Sequence, residues 1–334
     1  MSARPHPPSA RESQAPRASA RWARALLRLA GPALLIALLV RFDASAAFSA
    51  VASVELGTLL VAAALILLNA VIKAQRWRSL LEVERIQVSR TRATLTYFAA
   101  MAAGVLTPGR LGELYRAWPV AREAEVPLES VLPSVLVDRA FDQLVLGCVG
   151  LLGLCLLPGG SGGLVYGTLA IVVASVAAAL VVLDARSLTW LSRRRRLARV
   201  ASVVAGVQRL PKRSLGRALG ATLLAYTAFF AQCVLLARAV GVEAGALETI
   251  GASALGNLAA LLPVTLFGVG TREATLVAVL APLGVSPAHA LGFSLLLAAL
   301  SYGLALLFGG ISALLQARVG GSFRRFEIAD QKSR

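Results

Sequence analysis

Two stretches of this chain combine features that an unbroken apolar helix does not tolerate. Leu262-Pro263-Val264-Thr265-Leu266-Phe267-Gly268-Val269-Gly270-Thr271-Arg272-Glu273 lies in the most hydrophobic third of the sequence, yet it holds a proline, two glycines and an adjacent Arg–Glu pair. An earlier version is Leu106-Thr107-Pro108-Gly109-Arg110-Leu111-Gly112-Glu113. Proline and glycine end helices, and non-helical backbone at membrane depth persists only where protein or a watery cavity satisfies it. A charge at the bilayer centre costs roughly 2.5–3.5 kcal/mol on insertion scales, so Arg and Glu in such segments are functional candidates. Two broken, charged apolar segments at matching positions in two halves mark a transporter-like binding site.

The surrounding sequence identifies lipid as the solvent. Apolar residues make up 57% of the 334 and charged residues 15%, with a mean hydropathy of +0.73. A soluble domain with that excess would present one continuous apolar surface. Several stretches approach the ~20 apolar residues that cross a bilayer, so the fold class is an all-α polytopic membrane protein. The net charge of +17 does not indicate nucleic acid. Lys and Arg gather in a few loops and at both ends, as the positive-inside bias predicts, and no stacking aromatics are interleaved with them. Membrane lipids are the expected partners. Cys148, Cys155 and Cys233 lie in apolar spans without metal-ligand spacing, and His6 and His289 are isolated, so no metal or cofactor is expected.

Taken in order, residues 1–21 read as a disordered basic cytoplasmic tail, 22–316 as a single transmembrane domain and 317–334 as a cytoplasmic tail. The predicted full spans are Ala23–Val40, Leu56–Ile72, Glu129–Leu157, Leu164–Leu183, Leu219–Ala237 and Ala288–Gln316. Two re-entrant hairpins complete the layout: Ala93 to Arg122, turning at Pro108-Gly109, and Thr249 to Leu283, broken at the opening motif. That gives six spans, or eight to nine if hairpin limbs are counted. Lys73, Arg76, Arg78, Arg85, Arg90 and Arg92 read as a cytoplasmic loop, with Trp77 at interface depth. In the basic cytoplasmic loop 184–216, Leu197, Val200, Val204 and Val207 fall at helical spacing. They suit an amphipathic helix on an anionic leaflet, or a segment whose charge only sets topology. Every basic loop then lies on the cytoplasmic side, as do both termini, in a bacterial inner membrane. Repeat one (about 56–157) and repeat two (about 217–316) share an order of span, short limb, break, charge, then Val126-Pro127 or Val285-Ser286-Pro287 and a long span. A span between them inverts the second relative to the first.

Three polar groups fall within the membrane. Arg110, Glu113 and Arg116 lie at spacings of three on the returning limb of hairpin one. Arg272 and Glu273 stand at the tip of hairpin two, and Asp138, Arg139 and Asp142 near the start of a long helix. Tips entering from opposite leaflets place Arg110 and Arg272 beside one cavity, with Pro108, Gly109, Gly268 and Gly270 shaping the turns. Free N–H groups after each break favour an anion, and Arg suits forked contact with phosphate, so these charged residues are candidate ligands of a lipid phosphate. The structural alternative is that Arg–Glu and Arg–Asp pairs merely neutralise each other and hold the fold. A third reading has Asp138 and Asp142 holding a metal and a diphosphate in a membrane enzyme of lipid-linked sugar or aminoacyl-lipid metabolism. Asn69 and Asn257 more often bond across helices than to a ligand.

The segments Ala74-Gln75-Arg76-Trp77-Arg78-Ser79-Leu80-Leu81, Pro108-Gly109-Arg110-Leu111-Gly112-Glu113-Leu114-Tyr115-Arg116, Val137-Asp138-Arg139-Ala140-Phe141-Asp142 and Gly268-Val269-Gly270-Thr271-Arg272-Glu273 stand in this order. Together they resemble the lysylphosphatidylglycerol synthase transmembrane-domain family, the flippase-like domain of multiple-peptide-resistance factors. The likeness runs from about Leu56 to Leu315. It implies a lipid translocase handling an anionic phospholipid or a polyprenyl-phosphate headgroup. In two-part members the membrane domain moves aminoacylated phosphatidylglycerol between leaflets, and a soluble acyltransferase-like domain supplies the aminoacyl group. Here a short polar tail follows Gln316, so aminoacyl transfer is not expected, and a separate lipid-modifying enzyme is the implied partner. Archaeal relatives look associated with polyprenyl-linked sugar metabolism. Phe267 departs from the family by replacing a small residue beside Gly268.

Overall fold

The computed structural model describes residues 32–155, 198–261 and 268–332. The expected tail 1–21, the start of the first span, the turn and span over 158–183, the first part of the basic loop and Leu262–Phe267 lie outside them. The chain runs through α1 (Pro32–Arg41), α2 (Ala44–Ala52), α3 (Leu56–Val83), α4 (Arg90–Val105), a 3-10 segment (Pro108–Arg116), α5 (Ala117–Glu123) and α6 (Leu128–Cys155). It continues with α7 (Ala198–Arg209), α8 (Lys212–Ala239), α9 (Ala246–Ala259), α10 (Thr271–Leu280), a 3-10 turn (Ala281–Leu283) and α11 (Pro287–Lys332). No strand occurs among the described residues. Helices α3 and α8 and the Pro287–Arg318 part of α11 are long and apolar enough to cross a bilayer, and the α1–α2 pair, bent by 93°, is a fourth candidate. Helix α6 equals α3 in length at 28 residues but carries Asp138, Arg139 and Asp142. The protein is an all-α membrane protein.

Two halves follow one plan. In each, a 28-residue helix (α3, α8) leads to a shorter one (α4, α9), a break, a return (α5, α10) and a long helix (α6, α11). The halves also stop their helices alike. After α3, Arg85 takes φ 60° and Ile86 N–H reaches back to the Leu81 carbonyl; after α8, Gly241 takes φ 84° and Val242 N–H reaches Ala237. After α5, Glu125 takes φ 53° and Val126 N–H bonds Ala121; after the Ala281–Leu283 turn, Gly284 takes φ 79° and Val285 N–H bonds Leu280. Each is a six-to-one bond closed over a left-handed residue, the Schellman stop. Glycine holds that conformation freely, whereas other residues give up roughly 1–2 kcal/mol. Arg85 and Glu125 are exposed, so Arg85→Gly and Glu125→Gly should each gain about 0.5–1 kcal/mol in detergent unfolding. Gly241→Ala and Gly284→Ala should each lose about 1 kcal/mol.

The packing has the same symmetry. Arg76 of α3 bonds Thr222 of α8, and Asn69 bonds the carbonyl of Ala225; Leu80 shares a buried cluster with Ala218, and Ala62 one with Cys233. Rising numbers on α3 thus meet falling numbers on α8, and equivalent helices pack antiparallel, as an inverted repeat requires. Helix α6 lies on α9 and α11 on α4, so each long helix embraces the other half's hairpin. In the first of these contacts Gly153 and Gly251 touch through their backbones, the close approach that small residues permit between membrane helices. In the second, the Phe98 and Phe308 rings lie 5.6 Å apart. One apolar core (Ala74, Trp77, Leu81, Tyr97, Val131) sits where α3 ends, and the other (Cys233, Leu236, Leu276, Leu280, Phe293) where α8 ends. Because α3 and α8 are antiparallel, these cores and their hairpins occupy opposite ends of the bundle.

Three sequence expectations change. Helix α3 runs on to Val83, so Lys73 and Arg76 belong to a helix rather than a loop. Trp77 is wholly buried and donates to Ser134 Oγ at 3.0 Å instead of sitting at the lipid interface. Helix α7 turns Val204 and Val207 inward, with Gly206 against the Pro133 ring and Val207 beside Leu80 and Val137. At Val204 and Val207 that face is covered by protein rather than by a leaflet; Leu197 and the Val200 side chain lie outside what the structure describes.

Candidate functional site

At the first break, Thr107 Oγ1 donates to the Ala103 carbonyl at 3.0 Å and accepts from Gly112 N–H at 2.6 Å, tying the 3-10 segment back onto α4. The reversal is made by Gly109 and Arg110, at φ 60° and 55°. A left-handed arginine is strained, and strain of this kind collects at functional positions. It directs the Arg110 side chain into a cavity of about 120 Å³ between the two hairpins.

At the second break, Gly268 and Gly270 take φ 67° and 88°, and Gly270 opens α10. Glu273 accepts from Gly270 N–H at 2.6 Å and from Arg272 Nη2 at 2.7 Å. Ser294 of α11 donates to Glu273 Oε1 at 2.9 Å, while Arg272 donates to both Ser294 Oγ and its carbonyl at 3.1 Å. So held, Arg272 lines the same cavity as Arg110. The Tyr302 ring stands between them, 6.0 Å from the Arg110 Cζ and 5.4 Å from the Arg272 Cζ.

An ionic cluster forms one wall. Arg139 pairs with Glu113 at 2.6 Å and with Asp142 at 3.1 Å. Lys73 reaches Asp142 at 3.2 Å with its ammonium 4.3 Å above the Tyr226 ring. Behind them, Arg76 donates to Asp138 at 2.7 Å and to Asp142 at 2.9 Å. Arg116 bonds Asp138 at 2.5 Å and lies 4.9 Å from each of the Trp77 and Tyr97 rings. Six cations (Lys73, Arg76, Arg110, Arg116, Arg139, Arg272) thus meet four carboxylates (Glu113, Asp138, Asp142, Glu273), an excess of two positive charges.

Of the residues singled out from sequence, Arg110, Glu113, Arg139, Asp142 and Arg272 line the cavity. Arg116, Asp138 and Glu273 do not. Arg116 and Asp138 are buried against each other, because two guanidinium groups converge on a carboxylate with no access to water. Glu113 turns to Arg139, with Arg110 at 3.9 Å, while Arg116 turns to Asp138. Glu273 is spent on Gly270, Arg272 and Ser294. One amide at each break is already taken: Thr107 takes Gly112 N–H and Glu273 takes Gly270 N–H. The metal reading of Asp138 and Asp142 is overturned, since Arg76, Arg116, Lys73 and Arg139 occupy their oxygens.

Sequence reasoning passed over Lys73, Arg76, Gln232 and Tyr302. For the first two a signal existed: Asn69, Lys73, Arg76 and Leu80 recur at helical spacing and so continue one face of α3. Asn69 does bond across helices, to Ala225 O at 2.6 Å, whereas Asn257 bonds within its own helix; both line the cavity.

A search of curated proteins returned no match to the chain. A family model described as "Lysylphosphatidylglycerol synthase TM region" matches residues 25–309, which take in both hairpins, the ionic cluster and the cavity. The chain belongs to the lysylphosphatidylglycerol synthase TM-region family and is a membrane protein tied to lipid metabolism or translocation.

Proposed function

We propose that this protein is a lipid translocase of the bacterial inner membrane. It takes the phosphate of an anionic phospholipid or of a polyprenyl phosphate into the cavity while the tails stay in the bilayer. One observation carries the reading: hairpins from opposite ends of the bundle bring Arg110 and Arg272 to a single ring, in a network with two positive charges to spare. Guanidinium groups grip phosphate in a fork, and a partly dry cavity strengthens that attraction over its value in water. In this reading Arg110, Arg139 and Arg272 bind the phosphate, Glu113 and Asp142 orient Arg139, and Glu273 positions Arg272. Both termini are cytoplasmic, and a separate lipid-modifying enzyme supplies or consumes the lipid. The rival, a metal-dependent enzyme acting through Asp138 and Asp142, has lost its ligands to arginine and lysine.

The test is purified full-length protein in liposomes carrying a head-labelled anionic lipid, scored by quencher access over time. Wild type should speed the exchange. Arg110→Gln should slow it about tenfold, the worth of one charge-assisted hydrogen bond, with little change in unfolding because its ion pair is long at 3.9 Å. Equal exchange with and without protein would remove the translocase reading.

A further inference from the structure

We infer that the cavity selects a phosphate ester whose headgroup is uncharged and rich in hydroxyls, over one that carries an ammonium; this deepens the proposed function and rests on it. An ammonium seeks either a carboxylate or an open aromatic face. The two carboxylates that line the cavity are taken: Glu113 by Arg139, and Asp142 by Lys73, Arg76 and Arg139. Each tyrosine that lines the cavity already holds a cation over its ring as well. Lys73 lies over Tyr226, Arg116 over Tyr97 from behind the cavity wall, and Arg110 and Arg272 over Tyr302. A cationic headgroup would therefore compete with the protein's own cations for each of these groups, in a site that already holds two positive charges in excess.

What remains in the cavity is neutral hydrogen-bonding chemistry. Asn69, Gln143, Gln232, Asn257 and Ser301 all line it. Gln232 is 1% exposed and its Nε2 has no hydrogen-bond partner, although a buried amide donor is almost always paired. Asn69 and Asn257 each spend an amide N–H on a backbone carbonyl, which fixes the side chain and leaves its oxygen as an acceptor. A hydroxyl is both donor and acceptor, so a polyol accepts from Gln232 and donates to the asparagine oxygens. Arginine for the phosphate and carboxamides for the hydroxyls together describe a glycerol- or sugar-bearing phosphate diester.

The test is displacement of radiolabelled phosphatidylglycerol from full-length protein in phosphatidylcholine nanodiscs. Phosphatidylglycerol should compete about tenfold better than phosphatidate, which has the phosphate without the polyol, and phosphatidylethanolamine should compete least. A second pair, polyprenyl phosphate against its hexose ester, tells which lipid class supplies the headgroup; a tenfold preference in either pair is the expected result. Gln232→Met should erase the preference, and Asn257→Leu should reduce it, so a folding failure in one variant leaves the other to decide. Equal binding of both members of both pairs, weakened throughout by Arg110→Gln, overturns the polyol inference and leaves the phosphate reading standing. Phosphatidylethanolamine competing as well as phosphatidylglycerol overturns it too. Binding that ignores Arg110→Gln sinks both readings, and glycerol 3-phosphate competing as strongly as the lipid removes the translocase reading alone.

Discussion

Asp138→Ala should lower the stability of the detergent-solubilised protein by about 3–5 kcal/mol, the cost of stripping one partner from a buried ion pair. Asp138 is wholly buried and receives Arg76 from α3 and Arg116 from the 3-10 segment while itself belonging to α6. Its loss leaves two guanidinium groups without their shared counter-charge. Arg116 is the more dependent of the two, since its Nε and Nη1 already lack hydrogen-bond partners and the rest of its support is the Trp77 and Tyr97 rings. Arg76 keeps Asp142 and Thr222. Arg116→Met should therefore cost less than Asp138→Ala, because Arg76 still balances the carboxylate and methionine still fills the slot between the rings. Chemical unfolding followed by far-UV circular dichroism measures both. A loss below about 1 kcal/mol for Asp138→Ala would mean that water reaches the cluster, as exposed pairs are worth no more than that.

What the sequence made legible was local. Proline and glycine inside apolar runs announce a break without reference to any other residue, and the breaks at Pro108-Gly109 and Gly268-Gly270 lead Arg110 and Arg272 into one cavity. What it hid was decided at a distance. Lys73 and Arg76 read as the start of a basic loop because the positive-inside bias assigns unpaired charge to the cytoplasm; their partners Asp138 and Asp142 lie far along the chain. Asp138 and Asp142 sit one turn apart on one helix and look equivalent, yet the 3-10 segment covers the first while the second borders the cavity. Glycine flagged two of the four left-handed stops; Arg85 and Glu125 gave no sign of the other two.

The repeat is similarly better preserved in geometry than in residue identity. Counted from Pro127 and Pro287, Ser134 and Ser294 both fall at the seventh residue, and Asp142 and Tyr302 at the fifteenth. Both serines bond inward from a long helix, to Trp77 in one half and to Arg272 and Glu273 in the other. Asp142 and Tyr302 both line the cavity and both meet guanidinium groups, one by charge and the other through its ring. The positions are kept while the chemistry differs, which is why matching letters alone showed only the order of the breaks.

Exchanging Arg272 and Glu273 should not restore a protein damaged by changing either one, and that outcome separates a positioned binding group from a simple pair of opposite charges. A pair that only cancels charge is indifferent to which residue carries which sign. Glu273 is not: at the third residue of α10 its carboxylate closes the helix on Gly270 N–H, holds Arg272 and takes the Ser294 hydroxyl. An arginine there has no acceptor for the Gly270 amide and brings positive charge to the positive end of a helix. Glu273→Ala should cost about 3–5 kcal/mol, as it leaves Arg272 buried beside an uncapped amide. The exchanged protein should be at least as unstable, and its lipid exchange should fall to the protein-free rate because position 272 now offers a carboxylate to a phosphate. Recovery to within about 1 kcal/mol of wild type, within the range of an exposed pair, would reduce Glu273 to a counter-ion. Recovery of exchange as well would take Arg272 out of the binding site, since a cavity that works with the charges reversed is not gripping an anion there.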